Sequence, residues 1–146
     1  MRMSPDFKEF FELLNERNVE YLVVGGYAVA FYGYPRYTGD IDIWIAASHI
    51  NVEKVIDTLR EFGFASLNIS IEDLAAEDVV IQLGYPPNRI DIMTSVTGLT
   101  FEESYKLSVT TTIDGVNVRF IDAQSLKKNK LATNRHRDLD DLENLP

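Results

Sequence analysis

The sequence predicts an α+β protein, a mixed β-sheet with helices packed mainly on one face and a further helix at the C-terminal end. Three observations carry this. Helical periodicity and short β-branched runs alternate along the first half of the chain. A strictly alternating run, D-I-D-I, begins at residue 40. An Asp-Gly pair at 114–115 divides two alternating stretches, the mark of a tight hairpin.

The elements follow in order. Ser4-Pro5 is an N-cap followed by a first-turn proline, and Phe7, Phe10, Phe11 and Leu14 recur at helical spacing, so residues 5–18 read as an amphipathic helix. Residues 21–24, Y-L-V-V, form a buried strand ending at Gly25-Gly26, which read as a tight turn. Residues 27–32 read as a helix closed by Gly33 and Pro35. Residues 40–45 are a strand. Residues 51–62 are a helix with Val52, Val55, Ile56 and Leu59 as its apolar stripe and Gly63 as its stop. A short helix is expected at 71–76, strands at 79–83 and 89–93, and another short helix at 101–107. The hairpin strands span 109–113 and 116–121. Helices at 122–132 and 135–142 end the chain.

Bulk properties bound the function. A length of 146 residues suits a single domain, 1–146, and 45% hydrophobic residues suffice for a core. The absence of cysteine excludes disulfides, thiolate zinc sites and cysteine nucleophiles. The apolar stretches are too short to span a membrane, and the N-terminus leads into a charged amphipathic segment instead of a secretory signal. A soluble cytoplasmic protein with no membrane partner is expected. A net charge of −9 argues against a protein that wraps duplex nucleic acid. A local basic run remains: Lys127, Lys128, Lys130, Arg135 and Arg137 are more than a third of the 14 Lys and Arg residues. It is either a solvated helix face or an anion-binding wall.

The chemistry concentrates near residue 40. On a strand, Asp40 and Asp42 project to one side while Ile41 and Ile43 point to the other. Two parallel carboxylates repel when ionised, and a shared proton, a basic residue or a metal must offset this. Oxygen donors without His or Cys suit Mg²⁺ or Mn²⁺. Asp91, between Ile90 and Ile92, has the same local setting. On its own it reads as a surface residue. On a neighbouring strand it would complete a three-carboxylate cage, able to hold two ions about 3.5–4 Å apart for displacement at phosphorus. Gly25-Gly26 allows close approach of the backbone, and the helix start expected near Tyr27 adds a positive dipole end; both favour phosphate.

These pieces resemble the nucleotidyltransferase superfamily with the polymerase-β-like fold. The likeness rests on Val24-Gly25-Gly26, then Asp40-Ile41-Asp42-Ile43, then Ile90-Asp91-Ile92, and spans residues 20–143. The P-R-Y-T-G-D-I-D segment and the basic tail are similar to the small branch that includes AbiEii-type toxins of type IV toxin–antitoxin systems. The resemblance implies roles. Asp40, Asp42 and Asp91 would bind the metals, and Asp91 would help deprotonate the attacking hydroxyl. Gly25 and Gly26 would hold the triphosphate of an NTP such as ATP. Arg36 and Thr38 would reach a phosphate or fix the loop. Lys130 would be the main triphosphate cation, with Arg135 and Arg137 as further candidates and Asp138 holding one of them. The implied reaction moves an NMP from an NTP to a hydroxyl of a protein, an RNA or tRNA, or a small molecule. The alternative is a catalytically weak nucleotide-binding regulatory or antitoxin-like module. The small size is compatible with a partner protein or a homodimer.

Overall fold

The computed structural model describes residues 3–33, 40–85, 88–133, 142–143 and 145–146. Its elements are α1 (Pro5–Glu16), β1 (Tyr21–Val24), α2 (Gly25–Phe31), β2 (Asp40–Ile45), α3 (His49–Leu59), α4 (Ile71–Ala75), β3 (Val80–Leu83), β4 (Arg89–Met93), α5 (Phe101–Lys106), β5 (Val109–Ile113), β6 (Val116–Phe120) and α6 (Ala123–Thr133). The six strands form one sheet in the order β3-β4-β2-β1-β6-β5. β1–β2, β3–β4 and β5–β6 pair antiparallel, while β2–β4 and β1–β6 pair parallel. This is the mixed sheet expected.

Local chemistry sets the element ends. The Ser4 hydroxyl accepts from the Phe7 N–H at 3.2 Å, with Pro5 in the first turn. Ser70 and Asp73 form a reciprocal capping box on α4. Asp114 and Gly115 both adopt positive φ, as a two-residue hairpin turn requires. α3 stops before Gly63 because its last turn loosens into a π-type turn, Arg60–Phe64, and Gly63 takes φ 117°. Two further limits differ from the sequence reading. α1 ends at Glu16, and its C-terminal exit is completed by Asn18 at φ 54°. α2 is bounded at Gly25 instead of Tyr27, and Gly25 itself takes the left-handed φ of +67° of a turn residue, so the expected turn and the helix start coincide.

The alternation of β2 divides the molecule. Ile41, Ile43 and Ile45 are buried in the continuous apolar core. Each such side chain contributes about 1.5–3 kcal/mol. α1 packs against α3, and α3 against α4. Asn51, buried at the start of α3, fixes the outer end of the β1–β2 pair. Its amide donates to the Glu20 and Ala46 carbonyls at 3.0 and 2.8 Å, and its oxygen accepts from the Glu20 N–H at 2.7 Å. Asp40, Asp42 and Trp44 share the opposite side of β2. There Trp44 is buried edge-on against Phe101 of α5, with ring centroids 5.2 Å apart. The indole is therefore core packing at the far end of the aspartate face. Among the described residues, no helix is long and apolar enough to cross a membrane.

Candidate active site

β2 lies between β4 and β1, and this places three of the sequence-predicted groups together. In the parallel β2–β4 register Asp42 is opposite Asp91 and Asp40 is opposite Arg89. In the antiparallel β1–β2 register Val24 is opposite Asp42. Gly25 therefore follows β1 directly beside the Asp42 carboxylate. A Cβ built on Gly25 would stand 2.0 Å from Asp42 Oδ2 and 3.0 Å from its Cγ, and Gly25 has φ +67°. Space and backbone conformation both require glycine here. With α2 bounded at Gly25, its first-turn N–H groups lack partners within the helix, and Gly25 stands against the Asp42 carboxylate.

Asp91 is 7% exposed, far from the surface setting its isolated pattern suggests. The Arg89 guanidinium grips it with two parallel hydrogen bonds, Nε to Oδ1 at 2.9 Å and Nη2 to Oδ2 at 3.0 Å. The same Nη2 is 2.7 Å from Asp40 Oδ2. Lys130, in the last turn of α6, is 4% exposed, which removes the solvated-helix-face reading for this residue. Asp42 has its carboxyl pushed up to about 6. Burial is the largest cause, followed by the negative charges of Asp91 and Asp40 and a hydrogen bond with Asp91, while the charge of Lys130 acts in the opposite direction. Arg89 offsets the repulsion at Asp40 and Asp91, while at Asp42 Lys130 offsets it only in part.

Arg36, Thr38, Arg135, Arg137 and Asp138 lie outside the described residues. Arg89 escaped the sequence reading although a signal was present. R-I-D at 89–91 follows the same alternation as D-I-D at 40–42, so a cation was due on the aspartate face. The burial of Lys130 had no local signal, because α6 carries a polar, basic sequence.

Among the described residues, no group of three or more Asp, Glu, His or Cys side chains stands as a ready cation cage. Arg89 lies against two of the three aspartates. The donor set still suits a hard divalent cation. It is all oxygen, it comes from adjacent strands in register, and Asp42 bears two like charges that a cation would relieve.

The model of the aminoglycoside-2''-adenylyltransferase family matches residues 6–145, from α1 through the whole sheet and α6. The chain belongs to that family. Solved structures agree on the fold. The lincosamide antibiotic adenylyltransferase LnuA, solved with lincomycin bound, shares 16% identity at a TM-score of 0.54, covering 98% of this chain and 96% of its own. A Thermotoga maritima protein assigned as a nucleotidyltransferase shares 15% identity at 0.65, covering 97% and 94%. An antigenic nucleotidyltransferase-like protein of Paracoccidioides brasiliensis shares 15% at 0.59, covering 99% and 77%. At these identities the likeness establishes the nucleotidyltransferase-like fold. No curated protein matches the sequence.

Proposed function

We propose that this member of the aminoglycoside-2''-adenylyltransferase family acts as a single domain and transfers a nucleoside monophosphate from an NTP, in the presence of Mg²⁺ or Mn²⁺, to a hydroxyl of a small molecule. The observation that carries the reading is Asp42 opposite Asp91 on adjacent parallel strands, with Gly25 held against the Asp42 carboxylate. The family model and the lincomycin complex of LnuA favour a small, hydroxyl-rich, antibiotic-like acceptor over a protein or RNA. The resemblance to AbiEii-type toxins gains no support from that family model, and a toxin–antitoxin role is the weaker form of the proposal.

In the proposed reaction an oxygen of the acceptor bonds to the α-phosphorus of the NTP. The bond from that phosphorus to the β-phosphate oxygen breaks, and pyrophosphate leaves. Such chemistry is mostly positioning and charge neutralisation. Asp40, Asp42 and Asp91 would hold the divalent cation, which supplies Lewis-acid neutralisation of the phosphates and activation of the hydroxyl. The N–H groups of Gly25 and Gly26 donate to the triphosphate oxygens. Lys130 supplies a fixed positive charge from α6. A carboxylate oxygen of Asp91 accepts the proton of the attacking hydroxyl. Arg36, Thr38, Arg135 and Arg137 are further candidates for phosphate contact.

The test is incubation with each NTP, Mg²⁺ and a panel of aminoglycosides and lincosamides, read by mass spectrometry of the acceptor. A mass gain of one NMP that disappears in EDTA and in Asp42→Asn supports the reading. Label appearing instead in protein or RNA of a lysate would redirect the acceptor assignment. Nucleotide binding with no transfer to any acceptor under Mg²⁺ or Mn²⁺ would favour the binding-module alternative.

A further inference from the structure

The guanidinium of Arg89 stands where the proposed chemistry needs positive charge, yet nothing in that chemistry calls for an arginine there. Arg89 lies two residues before Asp91 on β4 and opposite Asp40 on β2. One side chain spans both strands. Its Nε and Nη2 close on the two oxygens of Asp91 at 2.9 and 3.0 Å, and Nη2 reaches Asp40 Oδ2 at 2.7 Å. Both oxygens of Asp91 are thereby engaged by one planar fork, the geometry in which an arginine holds a carboxylate most firmly. Asp91 is 9% exposed at its side chain, so water competes poorly for it. The arginine and Asp40 are more open, at 27% and 31%. The grip on Asp40 is therefore the weaker and more exchangeable of the two.

Each Asp91 oxygen keeps a second lone-pair direction for a cation while the fork holds it, but the more exposed Asp40 oxygen that Arg89 reaches is poorly placed to coordinate a cation from the same direction. Two positive charges also cannot share this pocket cheaply. We propose that Arg89 is the resident counter-cation of the carboxylate site: it pairs Asp40 with Asp91 in the metal-free protein, and a divalent cation must displace it from Asp40 to bind. The inference rests on the metal reading given under Proposed function. Two consequences follow. The metal-free sheet is held together across β2 and β4 by a bridge that would otherwise be two repelling carboxylates. Occupancy by metal is set by competition, so the bridge raises the concentration of ion needed to fill the site. Arg89 is in this sense a positioning residue, one that keeps the carboxylates in place while the site is without metal.

The experiment titrates Mn²⁺ alone into the whole chain, with free Mn²⁺ followed by electron paramagnetic resonance, and compares wild type with Arg89→Met and Arg89→Lys. Melting temperatures are recorded in parallel in EDTA and in Mn²⁺. Arg89→Met removes the competitor and is expected to tighten Mn²⁺ binding at least tenfold, to melt lower than wild type in EDTA, and to gain more from Mn²⁺ than wild type does. Arg89→Lys keeps the charge but not the fork, and is expected between the two. Arg89→Gln, which retains a hydrogen bond without charge, replaces Arg89→Met if that variant does not fold. Unchanged or weaker Mn²⁺ binding by a folded, uncharged variant, beside a wild type that does bind Mn²⁺, would overturn the inference and leave the metal reading standing. Absence of Mn²⁺ binding by wild type and variants alike, with ATP as well as without, would instead overturn the metal reading itself.

Discussion

Asp42→Asn should stabilise the metal-free protein while abolishing transfer. The Asp42 carboxyl is pushed from its ordinary value of 3.8 up to about 6, with burial first among the causes and the charges of Asp91 and Asp40 next. One pH unit corresponds to about 1.4 kcal/mol, so the ionised form costs about 3 kcal/mol at neutral pH. Water reaching the open side of the site and relaxation of its neighbours reduce this, and the net gain expected from the neutral amide is about 1–2 kcal/mol. For a chain of this size that is about 3–6 °C in melting temperature. The sign follows from proton binding. With a raised carboxyl pKa, the native state holds more protons than the unfolded chain between pH 3.8 and about 6, so this group's contribution to stability falls as pH rises through that window. The advantage of the amide variant over wild type is therefore complete at pH 7.5, about half as large at pH 5, and gone below about pH 4. The assay is thermal unfolding in EDTA at pH 7.5 and pH 5, with transfer measured in Mg²⁺ on the same preparations. A variant less stable than wild type at pH 7.5, or equally offset at both pH values, would refute the reasoning that Asp42 is a buried, like-charge-strained carboxylate.

Three further predictions concern the same site. Gly25→Ala forces an L side chain to φ +67° and sets its Cβ 2.0 Å from Asp42 Oδ2. It should cost about 1–2 kcal/mol in chemical denaturation and lower transfer far more, at least about a hundredfold, because Asp42 must move. Lys130→Met removes a buried cation whose charge favours ionised Asp42. It should weaken ATP binding at least about tenfold by calorimetry, and raise the pH needed for metal binding. Metal affinity of the wild type should climb with pH through about 6, where Asp42 loses its proton, and level off above it. A Mn²⁺ titration series from pH 5 to pH 8 checks this, and a flat profile would contradict it.

The fold was legible where the chain carries local, periodic information. The D-I-D-I alternation, the Ser4-Pro5 cap and the Asp114-Gly115 turn each act over a few residues, and each forms the element its chemistry implies. Less legible were features set by packing from a distance. Gly25-Gly26 reads as a turn because glycine is a poor helix former. Gly25 does take a turn conformation, at φ +67°, but the pair also opens α2 and sets Gly25 against the Asp42 side chain, which the dipeptide does not disclose. Asp91 looks like any surface aspartate in its own pentapeptide. Only the pairing of β4 with β2, fixed by a crossover of more than forty residues between Ile45 and Arg89, puts it opposite Asp42. Burial of Lys130 depends on where α6 docks, which its polar sequence does not disclose. Arg89 was within reach of the reasoning applied to Asp40 and Asp42, since R-I-D places its cation and its carboxylate on one face.

Whether Asp40, Asp42 and Asp91 together load a divalent cation with a nucleotide is tested most directly by anomalous diffraction from crystals grown with Mn²⁺ and a non-hydrolysable ATP analogue. The expected result is a Mn²⁺ peak coordinated by these three carboxylates, with the triphosphate against the Gly25–Gly26 backbone and Arg89 withdrawn from Asp40. Mn²⁺ and nucleotide bound elsewhere, with Arg89 still bridging Asp40 and Asp91, would contradict it.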